Sequence, residues 1–190
     1  MKLPVKLFVA ATAALLLLPV TVRAQQALQS APAQHADADM HHDKPPVPPS
    51  KTLVVSFEGR SITMSVEDLL KMPQTTVHVH NAHRNTDESY TGPLLADVLD
   101  KVGLHGTREF EPIILHSSIV ATGTDHYFVL YSAAEVQPGF SNGKVIIAVM
   151  KADLPNTEGG LIQLVNTSDA KPARWVHGLA NLNVMSIKPQ

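Results

Sequence analysis

The chain has 190 residues, with 15 Lys and Arg against 17 Asp and Glu, a net charge of −2 and no cysteine. A near-neutral chain without a basic run offers no clustered positive surface for phosphate backbones, which excludes nucleic acid as a partner. The absence of cysteine excludes disulfides and every thiolate chemistry, so packing alone must hold the fold.

Residues 1–24 read as a secretory signal. Lys2 and Lys6 make a positive start, Leu7 to Val20 is apolar, and Val22-Arg23-Ala24 offers small residues for cleavage before Gln25. The apolar run is shorter than the roughly 18 residues of a spanning helix, and no other segment reaches that length, so no stable membrane span is expected after cleavage. The expected location is therefore periplasmic or secreted. Residues 25–50 are rich in Gln, Ala, Asp, His and Pro and end in Pro45-Pro46-Val47-Pro48-Pro49. Such a composition buries too little apolar surface to offset its ordering entropy, and reads as a disordered linker, stiff at its end. His35, His41, His42 and Asp43 fall in it and are read as solvated rather than as a metal site. Residues 51–190 then have the usual size of a single domain with one core.

Leu53 to Phe57 and Ser61 to Met64 predict a β-hairpin around Glu58-Gly59-Arg60. Ser65 caps a helix over Val66 to Met72, with Glu67 and Asp68 in its first turn and Pro73 after it. Thr75 to His80 alternates strictly, which places the valines toward a core and His78 and His80 toward solvent or a site. A polar loop follows, then a helix begins at Pro93 and carries Leu94, Leu95, Val98, Leu99 and Val102 on one face up to Gly103. Strands are predicted at Pro112 to Ser117, Tyr127 to Tyr131, Val145 to Met150, Leu161 to Val165 and Leu179 to Ile187; Ser132 to Glu135 is a capping box. Strands dominate and short helices interrupt them, so the fold class is α+β and β-rich.

The chemistry gathers between Val77 and Gly92. His78 and His80 share a strand face and His83 follows in the loop, a set of nitrogens that suits Zn²⁺ or Cu²⁺. The alternative is a solvated strand face whose histidines bond loop carboxylates such as Asp87 or Glu88. Farther on, Arg174 with Lys171 suits an anionic ligand, or else pairs with Asp169; Trp175 reads as core, Tyr90 as packing with its hydroxyl satisfied, and Gly159-Gly160 as a turn.

The order of these parts resembles a known family. The hairpin, Val66-Glu67-Asp68-Leu69-Leu70-Lys71-Met72-Pro73, the alternating strand, Tyr90 to Leu99, Asp125-His126-Tyr127 with Glu135, Gly159-Gly160 and Lys171 to Val176 together resemble the molybdopterin-binding domain of the sulfite oxidase family, in particular its small exported single-domain members. The likeness runs from about Lys51 to Ile187. It implies a mixed, β-rich fold that holds a pterin dithiolene, with molybdenum on one protein cysteine at the exit of the alternating strand. That cysteine should fall at Asn81, or at His80 one residue earlier. The chain has none, and a neutral amide is a poor ligand for a high-valent metal that wants a thiolate. By the same resemblance Arg174 matches an arginine near the pterin phosphate, His177 stands where a lysine is expected, and His126 replaces a glycine. The candidate cofactor-binding residues are Asn81, His83, Asp125, Lys171, Arg174 and His177, and the candidate metal ligands are His78, His80 and His83.

Three functions follow as expectations. The first is an exported domain that binds a pterin-like or small anionic ligand, with molybdenum redox catalysis impaired or absent. The second is an active molybdopterin-dependent oxidoreductase with a non-cysteine molybdenum ligand. The third is a histidine-based zinc or copper protein, or a scaffold, on the same fold.

Overall fold

The computed structural model describes residues 47–187; the expected signal segment and the linker before Val47 lie outside the described residues. No helix among the described residues is long and apolar enough to cross a membrane. The last linker residues belong to the domain: Ser50 is buried and donates its N–H to Gly160 O at 2.8 Å, while Thr124 Oγ1 donates to Pro48 O. The domain therefore includes residues of this stretch ahead of Lys51, because their backbone groups find partners in it. Gly178, at φ +56°, leaves room for it; a Cβ there would meet Pro48 O at 2.8 Å.

The predicted hairpin forms as β1 (Thr52–Phe57) and β2 (Arg60–Ser65), joined through Glu58 and Gly59 at φ 45° and 80°. Two successive positive φ values give the twist that a two-residue hairpin needs. Ser65 and Asp68 cap α1 (Val66–Leu70) reciprocally. Next come β3 (Thr75–Asn81) and β4 (Thr86–Gly92), paired antiparallel with Val77 opposite Tyr90. The loop expected after His80 is thus mostly strand; its polar residues escaped the pattern because Thr86 and Asp87 are exposed and make no apolar alternation.

α2 (Leu95–Asp100) buries Leu95, Ala96, Val98 and Leu99. Pro112 to Ser117, expected as a strand, is instead α3 (Glu111–Leu115), preceded by a 3-10 turn at Arg108–Phe110. Pro112 sits in the helix's first turn, where its missing N–H costs nothing, and a short apolar run cannot separate helix from strand by periodicity. The strand starts after His116 as β5 (Ser117–Gly123), followed by β6 (Phe128–Ser132) and α4 (Ala133–Val136), whose capping box of Ser132 and Glu135 forms as expected. β7 (Val145–Ala148) stops before Met150, which belongs to β8 (Met150–Lys151), paired with β9 (Leu154–Pro155). β10 (Gln163–Asn166) and β11 (Leu179–Ser186) complete the chain.

The main sheet has the order β2-β1-β11-β5-β6, with β1 parallel to β11 and the other pairs antiparallel. A second sheet runs β3-β4-β8-β9, and β7 pairs with β10. β7 is buried throughout. Val145 and Ile147 enter the larger core with Leu53, Val55, Leu99 and Leu182; Ile146 and Ala148 enter a smaller one with Val77, Tyr90 and Trp175. A strand covered on both faces reads as an uninterrupted apolar run, which is why this one stood out in the sequence. Gly92 lets β4 pass close to it, since a Cβ there would lie 1.9 Å from Ile147 O.

Candidate functional site

The smaller core carries a polar cleft on its edge, and β3 delivers its first residue. Alternation sends Val77, Val79 and Asn81 to one face and His78 and His80 to the other. Asn81 is 7% exposed, and both ends of its carboxamide are bonded within the protein. Oδ1 accepts the backbone N–H groups of His83 and Arg84 at 3.1 and 3.2 Å, which closes the β3–β4 turn. Nδ2 donates to Glu88 Oε2 at 3.0 Å.

Glu88 is the centre of a charge network. Its side chain is 6% exposed and accepts from Tyr90 OH and Lys151 Nζ, each at 2.9 Å, as well as from Asn81. Lys151 also donates to Glu158 Oε2 at 2.8 Å, and Arg84 Nη1 donates to the same oxygen at 3.1 Å. Burial pushes the Glu88 carboxyl up, but its hydrogen bonds from Lys151, Asn81 and Tyr90 outweigh that and hold it below the ordinary carboxylate range. Burial likewise works to lower Lys151, and its bonds to Glu158 and Glu88 leave it raised. The Tyr90 hydroxyl is pushed up to about 12, first by burial and then by its bond to Glu88. Hydrogen bonds from Lys151 and Arg84 lower Glu158.

Opposite this network lies a chain of directed bonds. Gly159 N–H donates to Asn156 Oδ1, Asn156 Nδ2 donates to Gln163 Oε1, and Gln163 Nε2 lies 3.3 Å from His177 Nε2. His177 Nδ1 lies 3.3 Å from Glu158 O. A consistent assignment has Nδ1 donating to the carbonyl and Nε2 accepting from Gln163, which is neutral imidazole. Burial lowers the His177 pKa in keeping with this.

Asn81, His83, Arg84, Lys151, Glu158 and His177 line a narrow cleft of about 160 Å³, whose floor includes Trp175 and Gln163. Trp175 is 6% exposed, meets Tyr90 edge-on at 5.7 Å and donates Nε1–H to Asn166 O, so it is core as expected. A wider cleft of about 410 Å³ adjoins it through His83 and Pro172 and is lined also by Ala82, Lys171 and Ala173. A larger apolar hollow of about 520 Å³ between Leu115, Leu130 and Ile187 involves none of these residues.

The structure gathers four of the residues singled out from sequence: Asn81, His83 and His177 in the narrow cleft, and Lys171 beside His83 in the wider one. Arg174 lines neither. Its guanidinium bonds Asp169 and Glu135 and lies 4.6 Å above the Tyr131 ring, and the hydrogen bonds to Asp169 hold it strongly protonated. Asp125 accepts Tyr127 N–H at 3.0 Å in the turn between β5 and β6. The three-histidine set does not assemble: His80 binds Asp87 at 2.8 Å on the solvent face of β3, away from Asn81 and His83. Among the described residues no group of three or more His, Asp or Glu side chains is placed to hold a metal ion. Sequence reasoning passed over Arg84, Lys151, Glu158 and Gln163. They come from a turn, a two-residue strand, a loop and an apolar strand, and no spacing rule links them.

The fold and cleft define a strand-rich α+β domain with a polar site at the exit of one strand. Among solved structures the chain is similar to the sulfane dehydrogenase SoxCD from Paracoccus pantotrophus, with a TM-score of 0.55 and 15% identity over 73% of this chain and 39% of that one. This likeness is one of fold and supports the sulfite oxidase-like architecture; the chain spans well under half of the SoxCD chain. No protein-family model matches the chain, and no curated protein matches it by sequence.

The cofactor this fold implies can be tested against the residues present. A protein-bound molybdenum does not fit: the expected ligand position holds an amide whose two ends are already bonded within the protein, and the chain has no thiolate to offer.

Proposed function

We propose that this chain is an exported binding domain on the sulfite oxidase-type fold, taking a pterin-like or other small anionic ligand in the adjoining clefts and performing no molybdenum-centred redox step. The observation that carries this reading is the Asn81 carboxamide, engaged by Glu88, His83 and Arg84 where a metal-binding thiolate would stand. Support for an anionic ligand comes from Lys171: it lines the wider cleft beside His83 and takes part in none of the ion pairs among the described residues. The clefts lie side by side, and the wider one falls in the roughly 300–1,000 Å³ range of small-molecule sites.

Purification of the exported protein from the periplasm, with its N-terminus sequenced, tests the compartment; cleavage before Gln25 is expected. Elemental analysis for molybdenum, zinc and copper, with fluorescence of oxidised pterin, tests the chemistry. Titration with pterin-6-carboxylate should show binding that Lys171→Ala weakens about fivefold, the loss of one charge-assisted contact. Stoichiometric molybdenum with pterin would overturn this reading in favour of an oxidoreductase with non-cysteine ligation. A histidine-based zinc or copper site finds less support, because His78 and His80 do not converge with His83.

A further inference from the structure

We propose that the Glu158 side chain stands in an oxyanion site, and that a small inorganic oxyanion or carboxylate binds between Arg84 and Lys151 when Glu158 swings out. The proposal rests on the reading of this cleft as an anion site and adds a competitor built into the chain.

Two cations converge on one oxygen. Glu158 Oε2 accepts from Lys151 Nζ at 2.8 Å and from Arg84 Nη1 at 3.1 Å, the arrangement an oxyanion would take between an ammonium and a guanidinium. The charge count makes Glu158 replaceable. Arg84 and Lys151 bring two positive charges, Glu88 balances one of them, and Glu158 balances the other. The two carboxylates differ in how firmly they are held. Glu88 is 6% exposed and is also bonded by Asn81 and Tyr90, so it stays. Glu158 is 60% exposed, and among the described residues its carboxylate bonds only these two cations, so its departure breaks a solvent-screened contact of little strength.

Its backbone need not follow. Gly159 N–H is held by Asn156 Oδ1, Gly160 N–H by Thr157 O and Leu161 N–H by Asn156 O, so the turn keeps its shape while the side chain rotates. His177 forms the far wall as neutral imidazole and adds no competing charge. At about 160 Å³ the cleft has room for an inorganic oxyanion or a short carboxylate and falls below the roughly 300 Å³ at which drug-sized sites begin.

Calorimetric titration of the full exported chain with sodium sulfate in low-chloride buffer tests the proposal, with acetate as the carboxylate arm. Glu158→Gln should bind sulfate about fivefold more tightly than wild type, and Arg84→Gln in that background should remove the gain. Asp153→Asn, which makes the same change in net charge at an exposed turn outside the network, should leave sulfate binding unchanged. Equal affinity in wild type and Glu158→Gln, or an equal gain in Asp153→Asn, overturns the proposal. Titration of Glu158→Gln with pterin-6-carboxylate separates it from the broader reading. Lys171-dependent pterin binding without a sulfate gain overturns the role of Glu158 alone, whereas a sulfate gain without pterin binding supports that role and overturns the pterin reading.

Discussion

Asn81 donates to Glu88 across the β3–β4 pair at 3.0 Å, and its other end closes the turn that leads from one strand to the next. The residue therefore holds together two things, a strand exit and a buried carboxylate. Asn81→Cys keeps neither bond and is expected to lower unfolding free energy by about 2 kcal/mol, measured by urea denaturation. Asn81→Asp keeps the turn acceptor but sets a second carboxylate against Glu88. Like charges raise one of the pair, so its deficit should be larger at pH 7 than at pH 5, where the raised group takes up a proton. Equal stability of Asn81→Cys and wild type would show that the amide has no structural part.

Glu88 titrates below its usual value of 4.5 in the folded protein, and Glu158 does so as well. A carboxyl with a depressed folded pKa contributes stability above its unfolded pKa and loses it as pH falls through the folded one. Wild-type stability should therefore drop below about pH 4.5. Glu88→Gln, which leaves Lys151 with a weaker partner, should cost about 2 kcal/mol at pH 7 and flatten that acid limb. Urea midpoints from pH 7 to pH 3 measure both effects.

His177 is lowered from 6.5 by burial, so the unfolded chain takes its proton first. Stability should fall as pH drops from about 6.5 toward the folded value. His177→Gln keeps hydrogen-bonding capacity toward Gln163 and Glu158 but does not titrate, and its stability should depend less on pH across this window. The imidazole C–H resonance of His177, followed by NMR, should titrate below the unfolded value; a midpoint above 6.5 would contradict the neutral assignment.

His126 holds φ +64° in the turn between β5 and β6, a conformation that L side chains adopt at a cost. His126→Gly should raise unfolding free energy by about 0.5–1 kcal/mol, the left-handed penalty being partly offset by the entropy of glycine in the unfolded chain. Thermal denaturation of the two proteins provides the comparison, and a less stable glycine variant would mean that the His126 side chain makes a contact worth more than the strain.

Much of the architecture was legible because local rules sufficed. The hairpin at Glu58-Gly59, the helix cap at Ser65, the capping box at Ser132 and the alternation through Val77 and Val79 each involve groups a few residues apart. Reading failed where two structures share one local signature. Pro112 to Ser117 is apolar enough for either helix or strand, and Thr86 to Ser89 is too polar to announce a strand that its neighbour β3 nevertheless pairs.

The site divides along the same line. Sequence by itself determined the absence of every thiolate, the asparagine at the strand exit and the histidines around it, because these are statements of composition and order. Tertiary structure alone decided what they do. It paired His80 with Asp87, tied Arg174 to Asp169 and Glu135, and brought Lys151 and Glu158 to a carboxylate more than sixty residues earlier in the chain. The reason is physical. A charge in a cleft is defined by its partners and its burial, and both are set by strands that meet only when the sheets form.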